Sequence, residues 1–194
     1  MHQRIALSTE DDLVTDDVSA VEALRMATRA DHDAVDAAFS RFSLATRAGY
    51  VDFLTAHARI LPVAERLIAP QGLIDGWQGR AEALLEDLRE WGLDAPQEMD
   101  LVLPEGEAAR WGALYVLEGS RLGGAVLARR IGPGLPVAFL SGVHRQGGWA
   151  ALLARLNEED TGPVWRAQAI QGAKALFRAY LASPSRAASP PSAR

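Results

Sequence analysis

Residues 111–124 read WGALYVLEGSRLGG, and this stretch contains the feature that decides the fold. Apolar residues recur at spacings of three and four through it and beyond it, which predicts a helix from about residue 105 to residue 131. Each glycine inside a helix is unfavourable by roughly 0.5–1 kcal/mol relative to alanine. Because Gly119, Gly123 and Gly124 would interrupt the middle of this helix, we expect an interaction there that compensates for them.

Two interpretations of these glycines remain open from the sequence. Gly112, Gly119 and Gly123 follow one another at helical spacing, so they leave a strip of backbone without side chains along one face. Such a strip allows a second helix to pack closely against it. It also allows a bend in the helix, through which the backbone lies against a flat ligand.

The rest of the chain repeats the helical pattern, and alternating strand patterns are weak. Five further helices are predicted, at residues 20–39, 46–64, 80–91, 149–156 and 161–181. The Ser19–Glu22 capping box begins the first of these, and Pro62 should kink or split the second. Gly92 closes the third, and Pro163 lies in the first turn of the last. The prediction is an all-α, single-domain helical bundle over residues 19–182, between a flexible segment at 1–18 and a disordered Pro/Ser-rich tail at 183–194.

Composition excludes several classes of function. The 194 residues suffice for one domain with one sizeable core, and the formal net charge of −5 argues against nucleic acid as a partner. The absence of cysteine excludes disulfides, iron–sulfur clusters, zinc–thiolate sites and thiolate ligation of haem. No apolar stretch is long enough to span a membrane and the N-terminus carries acids instead of a signal, so we expect a cytoplasmic protein without membrane contact.

His32 has the neighbours that a metal-binding histidine needs. Thr28 lies one helical turn before it and Arg25 two turns before it, while Asp36 lies one turn after it. A carboxylate at that offset can accept the Nδ1 proton and leave Nε2 free for a metal, and Arg25 can receive an anion. At this spacing the same residues also occur as a solvated helix face.

The other three histidines are predicted to have no role at a site. His57 lies on the apolar side of its helix, which favours a hydrogen-bonded core histidine over a ligand. His2 and His144 fall in a terminus and in a glycine-rich loop, so both are predicted to be exposed. A single axial histidine opposite a glycine-rich helix would sandwich a planar macrocycle and leave a sixth coordination position for O₂.

Three motifs carry a resemblance to a known family. LRxxTxxxH ends at His32, YVxxFL begins at Tyr50, and YVLEGSxLGG runs through residues 115–124. With the Gly/Ala/Phe pattern of the last helix, the chain resembles the bacterial, biliverdin-producing haem oxygenases, and in particular the branch associated with bacteriophytochrome chromophore synthesis. The resemblance covers residues 20–182 in order and implies a haem-oxygenase-like helical bundle.

The resemblance also implies roles for individual residues. His32 would be the proximal ligand of the haem iron with Asp36 beside it, and Arg25 would contact a haem propionate. The distal kink, taken as the catalytic segment, would consist of Gly119, Ser120, Gly123 and Gly124. Further contacts to the haem would come from Thr28, Tyr115, Arg129, Arg130, Lys174 and Arg178, with Phe177 as a wall of the pocket.

One position departs from the animal-type pattern. Ser120 stands where that pattern has an aspartate, although the bacterial branch also uses serine there. We therefore expect Ser120 and ordered water to supply protons, because a hydroxyl both donates and accepts hydrogen bonds. Arg121 is predicted to point away from the haem to the surface.

The implied activity is oxidative opening of haem to biliverdin, carbon monoxide and ferrous iron, with haem as substrate and cofactor and O₂ as oxidant. The chain has no cysteine for a cluster and no nucleotide-binding fingerprint, so an external electron donor is expected, either a ferredoxin or a flavoprotein reductase. A bilin-binding photoreceptor would be a natural acceptor of the product.

The sequence also allows three rival interpretations. A haem-binding carrier or sensor would use the same pocket without catalysis, and an interaction scaffold would use the glycines for packing alone. A thiamine-cleaving enzyme with a similar helical architecture is disfavoured, because such a site needs a cysteine nucleophile or its equivalent.

Overall fold

The protein is described here by a computed structural model that covers residues 18–142, 144 and 146–186. These residues form eight α-helices and no strand, which confirms the predicted all-α class. The helices are α1 (Ala20–Phe39), α2 (Arg47–Ala58), α3 (Leu61–Ile68), α4 (Ala81–Arg89), α5 (Glu107–Leu127), α6 (Ala138–Ser141), α7 (Gly148–Glu158) and α8 (Pro163–Ala182). Among these residues, no helix combines the length and the apolar character needed to cross a membrane.

Local sequence signals set several helix boundaries. The Ser19 hydroxyl accepts the backbone N–H of Glu22 at 3.3 Å and begins α1. Thr46 caps α2 in the same way. Pro62 lies in the first turn of α3 and separates it from α2, as predicted. Gly92 takes a φ of +69° just beyond α4, a conformation that favours glycine after a helix end.

Three parts of the fold differ from the prediction. The glycines do not interrupt α5, which is an unbroken α-helix to Leu127 and continues as a 3₁₀ turn over Ala128–Arg130. The short helix α6 falls between the predicted helices at 105–131 and 149–156, where no helix is predicted. The sequence predicts disorder from residue 183, but Ser183–Arg186 form a 3₁₀ turn, in which Ser183 is buried and its hydroxyl donates to the carbonyl oxygen of Tyr180. The segments at 1–17 and 187–194 lie outside the described residues.

The centre of the bundle is the pair α5 and α8, which approach each other through reciprocal glycines. A Cβ added to Gly112 of α5 would overlap the carbonyl oxygen of Ala169 on α8. A Cβ added to Gly172 of α8 would overlap the carbonyl oxygen of Ala109 on α5. Gly112 therefore serves close helix packing, the first of the two interpretations of the glycine strip.

Candidate functional site

A cavity of about 370 Å³ lies beside the other end of the glycine strip. It is bounded by residues of α1, α2, α5, α6, α7 and α8, and its walls are mostly apolar. Among the apolar lining residues are Val35, Phe39, Phe53, Val116, Phe139, Leu140, Trp149, Phe177 and Tyr180. Its volume falls within the range of roughly 300–1,000 Å³ typical of small-molecule sites.

His32 lies on α1 at the mouth of this cavity. Its side chain lines the cavity and is 61% exposed. The ring Nδ1 lies 3.5 Å from Oδ2 of Asp36, a separation that makes an electrostatic contact rather than a hydrogen bond. The ring of Phe177 on α8 stands edge-on at 6.1 Å between centroids. The predicted Asp36 carboxylate thus lies on the Nδ1 side of the ring, and the role of Nε2 as a ligand stays a prediction.

The glycines of α5 that face the cavity have free space where a side chain would be. A Cβ added to Gly123 would meet no atom within 4 Å. One added to Gly119 would touch only the ring of Trp149, at 3.5 Å, and one added to Gly124 would touch Leu140 at the same distance. The strip therefore has two parts, with Gly112 packed against α8 and the later glycines open to the cavity.

Ser120 is held by a buried arginine that the sequence analysis did not single out. Nη2 of Arg80 donates to Oγ of Ser120 at 2.6 Å and to the carbonyl oxygen of Leu117 at 3.0 Å. The Ser120 hydroxyl itself donates to the same carbonyl oxygen at 2.6 Å. Its only proton is thus directed at the helix backbone, and its oxygen accepts from Arg80.

His57 is a partly buried, hydrogen-bonded histidine as predicted, but it also lines the cavity. It packs between aromatic rings, with Phe53 at 4.3 Å and Phe139 at 5.2 Å between centroids. Its Nδ1 lies 3.0 Å from the carbonyl oxygen of Phe53, which can only accept, so Nδ1 carries the proton and donates. Burial, with the nearby charge of Arg80, lowers the pKa of His57 to about 4, so the ring is neutral at pH 7.

Asp87 holds the α6 wall of the cavity in place. This carboxylate is fully buried on α4, and its two oxygens accept the backbone N–H groups of Ala138 and Phe139 at 3.0 and 2.9 Å. These are donors of the first turn of α6, which has no side-chain cap of its own. Asp87 thus fixes Phe139 and Leu140 against the cavity.

Not all of the predicted site residues come to the cavity. His32, Asp36, Tyr115, Gly119, Ser120, Gly123, Gly124 and Phe177 line it. Arg25, Arg129, Arg130 and Arg178 are exposed residues outside its lining. The Lys174 ammonium lies 3.8 Å from a carboxylate oxygen of Asp31 on the surface. Thr28 is buried, and its hydroxyl donates to the carbonyl oxygen of Leu24 at 2.7 Å, so its contact is within α1.

Two predictions on the far side of α5 are wrong. Arg121 is buried, because its guanidinium pairs with the Glu118 carboxylate at 2.8 Å and also donates to backbone carbonyls of two loops. The His144 side chain is 13% exposed, and its Nε2 donates to the carbonyl oxygen of Glu118 at 3.0 Å. Trp77 also donates to Glu118. The sequence does not show this burial, because the loop carbonyls that meet Arg121, and Glu118 as the partner of His144, are remote in the sequence.

The comparisons with known proteins agree with this geometry. No family model matches the sequence. The chain is 39% identical over 144 residues to a haem oxygenase of Xanthomonas campestris pv. campestris (strain 8004), and the alignment covers 66% of this chain and 84% of that relative. Its fold matches the NO- and CO-bound haem oxygenase of Neisseria meningitidis with a TM-score of 0.74 and 26% identity, over 88% of this chain and 92% of that one.

Proposed function

The chain belongs to the haem oxygenase family and is an enzyme that degrades haem, and from this premise we propose that His32 holds the haem iron in the cavity beside α5. The observation that carries the proposal is that His32 and the side-chain-free part of the glycine strip line one cavity. A planar tetrapyrrole fits these residues, since the imidazole offers a nitrogen ligand and added Cβ atoms at Gly119 and Gly123 would fill the space beside α5.

Bound haem supplies both the iron that activates dioxygen and the meso carbon that is oxidised, and the family's product is biliverdin. The protein holds and orients this substrate. Asp36 faces Nδ1 of His32 and favours the tautomer that leaves Nε2 for the iron. The glycines would let the backbone of α5 lie close to the bound macrocycle, and the aromatic walls of the cavity would limit its contact with water.

We propose a positioning role for Ser120 in place of direct proton donation. Its proton is directed at the carbonyl oxygen of Leu117, and Arg80 donates to its oxygen. This arrangement fixes the serine rotamer and keeps the hydroxyl against the helix. Protons would then reach the cavity through water held by these groups, because a serine hydroxyl is not an acid near neutral pH.

Electrons must come from another protein. The chain contains no cysteine, so we propose a ferredoxin or a flavoprotein reductase as donor, docking at the mouth of the cavity where the His32 and Asp36 side chains are 61% and 71% exposed. We also propose that the chain belongs to the bacteriophytochrome-associated branch and passes biliverdin to a bilin-binding photoreceptor. Ser120, at the position where the animal-type pattern has aspartate, supports this assignment.

A haem titration followed by absorbance tests the site. The wild type should give a Soret band that shifts on binding, and His32→Gly should lose that band and regain it when free imidazole replaces the missing ring. An Asp36→Asn control keeps the shape of its side chain and should still bind haem. Unchanged haem absorption in His32→Gly would show that another residue holds the iron.

Turnover separates the enzyme from a haem carrier or sensor on the same fold. The haem-loaded protein is given a reductase or ascorbate in air, and absorbance is followed with time. We expect the Soret band to decay while a bilin band grows. A Soret band that persists, with no bilin formed, would support the carrier or sensor.

A further inference from the structure

Arg80 is a buried cation that borders the cavity. The residue is 3% exposed and its guanidinium lies over the ring of Phe139, 5.2 Å from the centroid. Its side-chain hydrogen bonds go to two neutral acceptors, the Ser120 hydroxyl and the carbonyl oxygen of Leu117. Its Nε is buried and has no hydrogen-bond partner. The guanidinium is therefore only partly satisfied by the protein.

Arg121 offers a direct comparison, because it is also buried and also contacts α5. Its Nε donates to both carboxylate oxygens of Glu118, at 3.0 and 2.8 Å, so its charge is neutralised within the protein. No carboxylate of the described residues lies within 4.0 Å of the Arg80 guanidinium nitrogens. The nearby Glu65 carboxylate accepts the backbone N–H groups of Arg80 and Ala81 instead.

A buried charge without a counter-charge is unfavourable for the folded protein, and such groups are normally paired. Burial lowers the pKa of Arg80 to about 10, which still leaves the side chain charged at neutral pH. The Glu65 and Glu118 carboxylates lie close enough to stabilise the charge of Arg80 through space, but neither contacts its guanidinium. Because the guanidinium also borders the cavity, an anion that enters the cavity would be a direct partner for it.

We infer that Arg80 makes this cavity selective for anionic ligands on the haem iron, so that small monoanions such as fluoride and azide bind there in preference to neutral ligands. This inference rests on the proposed function, since it places haem between His32 and α5. The inference gives a role in the reaction to Arg80, which lies outside the three sequence motifs. A cation at this position would favour the negative charge that arrives with each electron, because a low-dielectric site strengthens the attraction.

Ligand titrations of the ferric haem complex test the inference. The dissociation constants of fluoride and azide are measured at pH 7, with imidazole on the ferric form and carbon monoxide on the ferrous form as neutral probes. Arg80→Met should weaken fluoride and azide binding by about tenfold or more, the range of one lost charge-assisted hydrogen bond, and change the neutral ligands little. Arg80→Lys keeps the charge, so its affinity for fluoride and azide should lie between those of the wild type and Arg80→Met.

Three results of these titrations would overturn the inference. Fluoride affinity that is unchanged in Arg80→Met, with a normal Soret band, overturns it and leaves the proposed function intact. An equal loss for anionic and neutral ligands shows that Arg80 shapes the cavity without selecting charge. If the wild type takes up no haem, the proposed function fails and this inference fails with it.

Unfolding of the haem-free proteins gives a second readout. Arg80→Met removes an unpaired buried charge and fills a similar volume, so its urea midpoint should equal or exceed that of the wild type. Arg121→Met is the matched control, because it leaves the Glu118 carboxylate buried without its partner and should lower the midpoint. Equal losses in the two variants would mean that Arg80 is held for stability, which contradicts the inference.

Discussion

Alanine at Gly123 should make the haem-free protein more stable and the haem complex weaker. Gly123 lies within α5, and an added Cβ would meet no atom within 4 Å. The substitution therefore gains the helix propensity of alanine, about 0.5–1 kcal/mol, without a steric penalty. For a domain of this size, a gain of 1 kcal/mol raises the melting temperature by about 2–4 °C. The same methyl group projects into the space assigned to the haem.

Gly112→Ala on the same helix is the matched control and should behave in the opposite way. Its Cβ would overlap the carbonyl oxygen of Ala169, so α5 and α8 would have to move apart. Overpacking of this kind lowers the free energy of unfolding by about 1–3 kcal/mol, which exceeds the gain in propensity. Haem should still bind to whatever fraction of the protein is folded, because Gly112 is not part of the cavity lining.

Urea unfolding of the haem-free proteins and Soret titration of the same samples provide the assay. We expect Gly123→Ala to raise the urea midpoint and to weaken haem binding several-fold, and Gly112→Ala to lower the midpoint. A lower urea midpoint for haem-free Gly123→Ala would refute this prediction, since the space beside Gly123 would then not be free. It is equally refuted if Gly112→Ala is neutral.

Two further predictions concern the buried polar groups around the cavity. Asp87→Ala should lower the free energy of unfolding by about 2 kcal/mol, because two buried N–H groups lose their acceptor. It should also speed hydrogen exchange at the backbone N–H groups of Ala138 and Phe139. Unchanged exchange at these two positions would show that Asp87 does not hold α6. For His57, the folded-state pKa of about 4 lies below the ordinary 6.5, so its contribution to stability is complete above pH 6.5 and is lost as the pH falls toward 4. Between pH 7.5 and pH 5 the free energy of unfolding of the wild type should fall by about 2 kcal/mol through His57. The urea midpoint of His57→Phe should therefore drop less over that interval than the midpoint of the wild type. Equal drops in the two proteins would contradict the lowered pKa of His57.

The sequence predicts the features that depend on near neighbours in the chain. Ser19, Thr46 and Pro62 act within one turn of a helix, and each sets the boundary expected of it. His32 and Asp36 are one turn apart on α1, so their contact could be predicted from spacing alone. These interactions do not require knowledge of how the helices pack.

The sequence does not predict features that depend on packing between distant segments. Arg80 and Ser120 are 40 positions apart, and no local pattern marks Arg80 as a cavity residue. Arg121 and His144 were predicted as surface residues for the same reason, since Arg121 also donates to the carbonyl oxygens of Gln78 and Gly142 and His144 reaches across to Glu118. The arginines assigned to the haem propionates by resemblance are exposed residues outside the cavity lining, and their role stays a prediction.

Two kinds of unfavourable group lie on or against α5: those with a partner within the protein and those without one. Gly112 meets the backbone of α8, and Arg121, on the same helix, pairs with Glu118, so each unfavourable group is offset within the protein. A Cβ added to Gly123 would meet no atom within 4 Å, and the guanidinium of Arg80, held against α5, contacts no carboxylate of the described residues and has a buried Nε without a partner. A fold keeps such uncompensated groups mainly at functional sites. Both border the same cavity, and a flat ligand whose iron takes anions would satisfy the two of them together.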